Sequence, residues 1–205
     1  MKISDIEVIK WHPGAGKNFI YIKLSTDAGI TGWGEAYSQA DRDTQIEAHV
    51  DQLARYLIDR DPFQIRHFMH IAHEDFANKR AAMDLHCALS GIEIAMWDIV
   101  GKATEQPIYN LIGGPVRPHI RVYANGWGRG SADDTAQAAA TLVEERGFNA
   151  LKFDPFPGPW REYPNRDELV KAADTVGKVR EAVGPDVELL VEVHRRLAPN
   201  HAIRT

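Results

Sequence analysis

Hydrophobic and polar residues alternate in three short segments at the start of the chain, 2–11, 19–24 and 30–37. Alternation with a period of two residues is typical of strands that bury one face. Turn-forming residues separate the segments, with Pro and Gly between 12 and 17 and a glycine at position 29. Because short connections join antiparallel neighbours, this pattern predicts a three-stranded antiparallel meander.

Between positions 41 and 103 the apolar residues recur every three or four positions, which predicts helices. Asp61–Pro62 predicts the start of a second helix that runs to about Ala77, since proline is favoured at the first helical position. The third helix, from Arg80 to about Ala103, is apolar nearly all round and contains several small residues, so we expect it to be buried and closely packed. The first helix, 41–58, has its apolar residues at Ile46, Val50, Leu53, Ala54 and Leu57.

Pro and Gly residues at 106–115 end this helical region, and strands then alternate with helices. We therefore predict two domains, an α+β domain at 1–117 and a second domain at 118–205. Strand–helix alternation predicts parallel strands, either in a doubly wound sheet or in a (β/α) barrel. A complete barrel typically needs about 250 residues, so we expect the first part of an incomplete TIM-type barrel. Its strands are predicted at 120–124, 148–153 and 187–193, and its helices at 132–146, at 166–183 and from 198.

Composition and charge narrow the classes of function. The chain has 29 acidic and 24 basic residues and a net charge of −5, with no basic run, which argues against a nucleic-acid partner. No apolar run reaches membrane-spanning length, and the N-terminus lacks the apolar centre of a signal peptide, so we expect no membrane partner. Cys87 is the only cysteine among 205 residues, which excludes an internal disulfide and is typical of a cytoplasmic protein.

Polar side chains follow each of the three predicted parallel strands. Asn125 follows the first, Lys152 and Asp154 lie around the end of the second, and Glu192 and His194 end the third. Sites in parallel α/β folds lie at this end of the strands. Because Glu192 and His194 are two residues apart, we expect them on one face of the strand, where they suit a metal or proton-transfer site. The alternative for each residue alone is a charged group at a solvated strand end.

Two other patterns have simpler explanations than a ligand site. The segment Gly126–Gly130 lacks the next glycine of a dinucleotide fingerprint, and Ser131 with Asp134 predicts a helix-capping box there instead. We interpret the histidines of the second helix as a solvated face, because their spacing drifts round the helix and no cysteine accompanies them. These histidines are His67, His70 and His73.

Two loops leave alternatives open. Residues 156–160, which end in Trp160, would either wall a substrate pocket or cover the rim of the barrel. Residues 12–17, which end in Lys17, would form either a mobile lid or an ordinary loop.

Four segments together resemble the enolase superfamily, in the branch of mandelate racemase and muconate lactonizing enzyme. They are Gly32–Glu35, Ala88–Lys102, Pro107–Gly114 and Val191–His194. Within that branch the chain is most similar to acid-sugar dehydratases of the galactonate dehydratase kind, and the similarity covers essentially the whole chain. The resemblance implies an N-terminal capping domain, whose loops near 12–19 and 37–44 close over the substrate, followed by a modified barrel.

The resemblance also implies roles for individual residues. Glu192 matches the first metal ligand of the family and would bind Mg²⁺, although many relatives carry Asp there. His194 matches the histidine that such dehydratases place two residues after that ligand. Lys152 matches the first lysine of the Lys-x-Lys pair of racemases. Asp154 stands where the second, catalytic lysine would be, which argues against lysine-driven racemisation and leaves a substrate contact or a minor ligand.

The implied reaction is the Mg²⁺-dependent dehydration of a sugar acid. Removal of the proton next to the carboxylate gives an enediolate, and loss of the 3-hydroxyl leads to a 2-keto-3-deoxy acid. His194 would protonate the departing hydroxyl, and Lys152 would stabilise the substrate carboxylate. The substrate contacts would be Asp154, Asn125, Trp160 and Lys17.

We expect the 205 residues to be the first half of an enzyme that is a homo-oligomer when complete. The remaining metal ligands and the main base would lie on later strands, so the chain alone is expected to be inactive and to bind Mg²⁺ weakly. Two alternatives remain. One is a racemase, epimerase or cycloisomerase of the same superfamily, and the other is a non-catalytic binding or assembly module.

Overall fold

The chain divides into two units, Met1–Val116 and Arg117–Thr205, in a computed structural model. The structure describes residues 1–14, 16–38, 41–76, 82–156, 164–194 and 196–204. None of the helices in these ranges is both long and apolar enough to cross a membrane.

The first unit starts with an antiparallel sheet of three strands in the order β1 (Ile3–Trp11), β2 (Phe19–Thr26) and β3 (Thr31–Ala36). This sheet confirms the predicted meander. Alternate residues of β2 are fully buried, namely Ile20, Ile22 and Leu24. One face of the sheet therefore forms part of the core of this unit, together with the helices that follow.

The described residues of the first unit also form the helices α1 (Asp43–Leu53), α2 (Ile65–Phe76), α3 (Met83–Ala103) and the short α4 (Ile108–Leu111). A 3₁₀ turn at Ala54–Tyr56 follows α1, so the first helix ends earlier than predicted. Its predicted apolar stripe is nevertheless buried at Ile46, Val50 and Leu53.

The second helix begins at Ile65 and not at Asp61–Pro62 as predicted. The Asp61 carboxylate accepts a hydrogen bond of 3.0 Å from the Phe63 amide. The Gln64 amide donates to the Asp61 carbonyl, also at 3.0 Å. These two bonds form a turn around Pro62, because an aspartate side chain competes with the helix for nearby amides.

Glycines allow β3 and α3 to approach each other closely. A Cβ atom at Gly34 would lie 2.0 Å from the Gly91 carbonyl oxygen, and one at Gly32 would lie 2.1 Å from the Ala95 carbonyl oxygen. The small residues of α3 therefore permit the close packing that the sequence predicts. The same contacts explain why the two residues on either side of Trp33 in β3 are glycines.

The second unit contains a parallel pair of strands, β4 (Ala150–Phe153) and β5 (Glu188–Val191). Its helices are α5 (Ala132–Glu144), α6 (Arg166–Val183) and the one-turn α7 (Pro199–Ala202). Both long helices start with a capping box, and the box of α5 is the predicted one between Ser131 and Asp134. The core between strands and helices includes Leu151, Phe153, Ala139 and Val179.

The predicted strand at 120–124 is reduced to one bridge between Ala124 and Leu151. The Ala124 amide donates to the Ala150 carbonyl at 3.0 Å, and the Lys152 amide donates to the Ala124 carbonyl at 2.8 Å. Residues 120–123 form no strand and are exposed. Ile120 is accordingly 82% exposed.

The expectation of about three barrel strands is therefore corrected to two strands and one bridge. The third predicted strand ends at Val191 and not at Val193. Over the ranges that the structure describes, these strands form no closed barrel.

We predict that Gly34→Ala lowers the free energy of unfolding of the protein by about 3 kcal/mol, because the new methyl group meets backbone that cannot move aside. Gly177→Ala is the matched control. Nothing lies within 4 Å of a Cβ at Gly177 in α6, so this change should raise the free energy by about 0.5–1 kcal/mol. Urea denaturation followed by circular dichroism measures both. Equal stability of the two variants would contradict the packing described for β3 and α3.

Candidate functional site

The parallel register of β4 and β5 brings the ends of both strands to one edge. Lys152 lies opposite Leu190 and Phe153 lies opposite Val191. One further bond follows the last pair, in which the Glu192 amide donates to the Phe153 carbonyl at 2.9 Å. The residues that follow β4 and β5 therefore lie side by side at the carboxyl end of the strands, where sites of parallel α/β folds are found.

Lys152 and Glu192 form an ion pair at this edge. The Lys152 Nζ atom lies 2.5 Å from Glu192 Oε2, with 26% of the lysine side chain and 32% of the glutamate side chain exposed. Their pairing follows from strand alternation, because Leu151 and Phe153 on either side of Lys152 are buried in the core and Lys152 faces the other way.

The ion pair shifts both pKa values towards the charged forms. The hydrogen bond with Lys152, followed by the hydrogen bond from the His194 amide, lowers the pKa of Glu192. The hydrogen bond with Glu192 in turn raises the pKa of Lys152. Glu192 is therefore a carboxylate, and Lys152 an ammonium group, at neutral pH.

His194 lies in a turn beyond the strand. Its backbone has a φ of 52°, in the left-handed region, and its amide donates to Glu192 Oε1 at 2.8 Å. The Arg196 amide donates to the Val193 carbonyl at 3.2 Å and closes the turn. Because β5 ends at Val191, strand alternation does not bring Glu192 and His194 together as predicted. The bond between the Glu192 side chain and the His194 amide does so instead.

An open cavity of about 680 Å³ lies at the carboxyl ends of β4 and β5, between the segments that follow Ala124, β4 and β5. Three of the residues that the sequence indicates for the site, Asn125, Asp154 and His194, line it together. Lys152 and Glu192 are not part of the described lining. The remaining lining residues come from the glycine-rich segment, the end of β4 and the turn after β5, namely Gly126, Trp127, Gly128, Arg129, Phe153, Phe156 and Arg196.

Asp154 is held by a residue that sequence reasoning missed. Arg196 Nη2 forms an ion pair with Asp154 Oδ2, and Arg196 Nη1 donates to the Phe156 carbonyl at 2.6 Å. The other oxygen of Asp154 accepts a bond of 3.1 Å from the Phe156 amide. A second arginine two positions after His194 was the available signal for this contact. These bonds fix the position of the Asp154 carboxylate. The substrate contact expected for Asp154 from sequence stays a prediction.

The glycine-rich segment after Ala124 packs against β4. Trp127 Nε1 donates to the Ala124 carbonyl at 3.1 Å, and the Trp127 ring centroid lies 5.2 Å from that of Phe153. A Cβ atom at Gly128 would lie 3.0 Å from Thr135 Cγ2 in α5. The segment is thus a wall of the cavity, and the predicted capping box of Ser131 and Asp134 forms at the start of α5.

The predicted capping loops contact each other within the first unit. Lys17 Nζ lies 3.7 Å from the centroid of the Tyr37 ring, and the Asn18 side-chain amide donates to the Asp43 carboxylate. The role of Lys17 in substrate binding stays a prediction. Trp160 lies outside the described residues.

The histidine stripe of α2 is exposed at His67, His70 and His73, which agrees with a solvated face. The described ranges hold no group of three or more His, Cys, Asp or Glu side chains that could bind a metal ion.

Two family models match the chain. The model of the mandelate racemase/muconate lactonizing enzyme N-terminal domain matches residues 9–113, and that of the enolase C-terminal domain-like family matches residues 134–205. The first match covers most of the first unit, and the second covers most of the candidate site.

Several named dehydratases are similar to the chain. The D-gluconate dehydratase of Thermoproteus tenax is 38% identical over 90% of this chain and 37% of its own length. The D-gluconate/D-galactonate dehydratase of Picrophilus torridus is 32% identical, over 90% of this chain and 47% of its own length. The D-galactonate dehydratase of Klebsiella pneumoniae is 31% identical, over 97% and 50%. The chain thus spans about half the length of the relatives it matches.

Solved structures show the same similarity across the whole chain. A mandelate racemase/muconate lactonizing enzyme from Jannaschia sp. CCS1 has a TM-score of 0.89 and is 27% identical, covering 100% of this chain and 57% of the solved one. A mandelate racemase/muconate lactonizing enzyme-like protein from Roseovarius sp. TM1035 has a TM-score of 0.87 and is 33% identical, covering 100% and 56%.

Proposed function

The chain belongs to the mandelate racemase/muconate lactonizing enzyme family of the enolase superfamily, and on that premise we propose that it is the N-terminal half of an acid-sugar dehydratase. The observation that carries the proposal is the pairing of Glu192 with His194 at the carboxyl edge of parallel strands. Relatives that span this region are named as dehydratases of D-gluconate and D-galactonate. The substrate class is accordingly a sugar acid with a hydroxyl on the carbon next to the carboxylate and another on the following carbon.

His194 is proposed as the general acid of the dehydration. The C3–O bond breaks as the hydroxyl takes a proton from the imidazole and leaves as water, and the resulting enol becomes the 2-keto-3-deoxy acid. A general acid is needed because hydroxide is a poor leaving group. The position of His194 in the cavity lining supports this role, since it gives the imidazole access to a ligand bound there.

Lys152 is proposed to stabilise the substrate carboxylate. Its raised pKa keeps the ammonium group charged, and it lies at the same strand edge as His194. A fixed positive charge at the place where negative charge develops lowers the barrier to removal of the neighbouring proton. The base that removes this proton is expected on a part of the enzyme beyond residue 205.

Glu192 is proposed as one ligand of Mg²⁺. Its anionic oxygens have the chemistry that this ion prefers, and the ion pair with Lys152 keeps them ionised. The fit is partial, because one carboxylate does not make a magnesium site and the ion would share Glu192 with Lys152. When bound, Mg²⁺ would offset the charge that develops on the substrate carboxylate. Further ligands are therefore expected from other strands of the complete enzyme.

The alternatives within the superfamily are less well supported. A racemase would need a base at the position of Asp154, and that carboxylate is paired with Arg196. Homo-oligomeric assembly and a cytoplasmic location stay predictions.

The complete protein that carries this chain should be assayed with Mg²⁺ on D-gluconate, D-galactonate and other sugar acids. Formation of a 2-keto-3-deoxy acid would support the proposal, whereas epimerised substrate without a keto product would overturn it.

His194→Asn in the complete enzyme should lower kcat by about 10²–10⁴-fold, because asparagine cannot donate a proton to the leaving group. His119→Asn is the control. His119 is an exposed histidine of the same unit and precedes the first bridge residue, so its replacement should leave kcat unchanged. Steady-state kinetics on the preferred sugar acid measure both variants. An unchanged kcat in His194→Asn would remove His194 from catalysis.

Glu192→Gln should weaken Mg²⁺ binding to the complete enzyme by about tenfold or more, because an amide oxygen carries no charge to hold the ion. Glu188→Gln is the matched control at the other end of β5, where the side chain pairs with Arg121 at 3.0 Å. Isothermal titration calorimetry with MgCl₂ measures both affinities without any turnover. Equal affinities would show that Glu192 is not a ligand.

A further inference from the structure

We propose that Arg196 is a positioning residue, which acts with Asp154 to fix the turn that presents His194 to the cavity. This inference rests on the proposed function, in which His194 is the general acid. It assigns to Arg196 a task that differs from contact with the substrate.

Arg196 connects the turn after β5 to the segment after β4. One nitrogen of its guanidinium group forms the ion pair with Asp154, and another donates to the Phe156 carbonyl at 2.6 Å. The Asp154 side chain is itself fixed by the Phe156 amide at 3.1 Å. The planar guanidinium group thus contacts both the Asp154 carboxylate and the carbonyl of Phe156, whose amide binds that carboxylate. Lysine cannot reproduce this geometry.

The two partners are shielded from water to a similar degree. The Arg196 side chain is 20% exposed and the Asp154 side chain is 26% exposed. Solvent therefore screens this pair less than it screens most surface ion pairs. Val193 and Leu197, on either side of His194, pack against a small apolar cluster that Phe156 forms with Leu169 and Ala172 of α6.

His194 lies between two anchors. On its N-terminal side the Glu192 amide is bonded to Phe153 at 2.9 Å, and Glu192 accepts the His194 amide at 2.8 Å. On its C-terminal side the anchor is Arg196. The left-handed φ of 52° at His194 is uncommon for a residue other than glycine, and the contacts around the turn help to stabilise it. Loss of the second anchor should therefore release this backbone conformation and let the imidazole move from its place in the cavity.

The test uses the complete enzyme with Mg²⁺ and its sugar acid. Arg196→Met should lower kcat by about 10–100-fold, because a displacement of about 1 Å of a reacting group has effects of this size. KM should change by less than about threefold, since uniform substrate binding is not affected. Arg196→Lys should recover only part of kcat, and the isosteric Asp154→Asn should fall in the same range as Arg196→Met. If Arg196→Met does not fold, Asp154→Asn decides the outcome.

Arg180→Met is the matched control. Arg180 also bonds backbone carbonyls, those of Gly184 at 2.5 Å and Val187 at 2.7 Å, but it does so at the opposite end of β5. Replacement of an arginine that has only a structural role should lower the stability of the enzyme and leave kcat unchanged. Arg180→Met measures this effect. If Arg196→Met and Asp154→Asn behave in this way while His194→Asn loses activity, the inference is overturned and the proposed function stands.

A crystal structure of the complete Arg196→Met enzyme distinguishes failure of the inference about Arg196 from failure of the proposed role of His194. The inference expects the φ of residue 194 to leave the left-handed region and the imidazole to turn away from the cavity. This readout does not depend on turnover, so it holds even if His194→Asn keeps its activity and the proposed function falls. An unchanged turn at His194 in the Arg196→Met structure would overturn the inference.

Discussion

The parallel register of β4 and β5 is the constraint on which the candidate site depends. It places Lys152 and Glu192 at one edge, where they form an ion pair at 2.5 Å. It also brings the segment after β4 within reach of the turn after β5, so that Arg196 can bind Asp154. A shift of one residue in either strand would turn Lys152 or Glu192 towards the core and separate the pair. The backbone pairing of β4 and β5 therefore positions the side chains on which the proposed chemistry depends.

The same register explains why this edge is charged although the strands are short. Leu151 and Phe153 face the helices and are buried, whereas Lys152 between them faces the opposite side of the strands. Glu192 supplies an opposite charge to the ammonium group of Lys152 at this half-buried position. The result is a carboxylate kept ionised by a lysine. This state suits binding of a cation, and the lysine suits binding of the carboxylate of a substrate.

Much of the fold follows from the pattern of residues, because periodicity reports which face of an element is buried. The alternation of Ile20, Ile22 and Leu24 identifies β2, and the capping box of Ser131 marks the start of α5. The features that the sequence did not reveal depend on contacts between distant residues or on local competition for hydrogen bonds. Asp61 binds the Phe63 amide and delays α2, and the predicted strand at 120–124 pairs only through Ala124.

Some features of the candidate site could likewise be predicted from the sequence, and others could not. Sequence position alone indicates Lys152, Asp154, Glu192 and His194, since each lies at or just after the end of a strand. It does not indicate that β5 ends before Glu192, that His194 has a left-handed backbone, or that Asp154 is bound by Arg196. The Glu192 side chain bonds the His194 amide within the turn, whereas Arg196 bonds Asp154 across the two strand ends, and strand periodicity encodes neither contact.

On the proposed function, the edge formed by β4 and β5 binds the reacting part of a sugar acid. A crystal structure of the complete protein, grown with Mg²⁺ and a non-reacting sugar-acid analogue, would show whether it does. We expect Glu192 to be a ligand of the ion, Lys152 to lie beside the carboxylate of the analogue, and the His194 imidazole to face the carbon that carries the leaving hydroxyl. An analogue bound elsewhere, with the ion pair of Lys152 and Glu192 intact and no ion on Glu192, would contradict it.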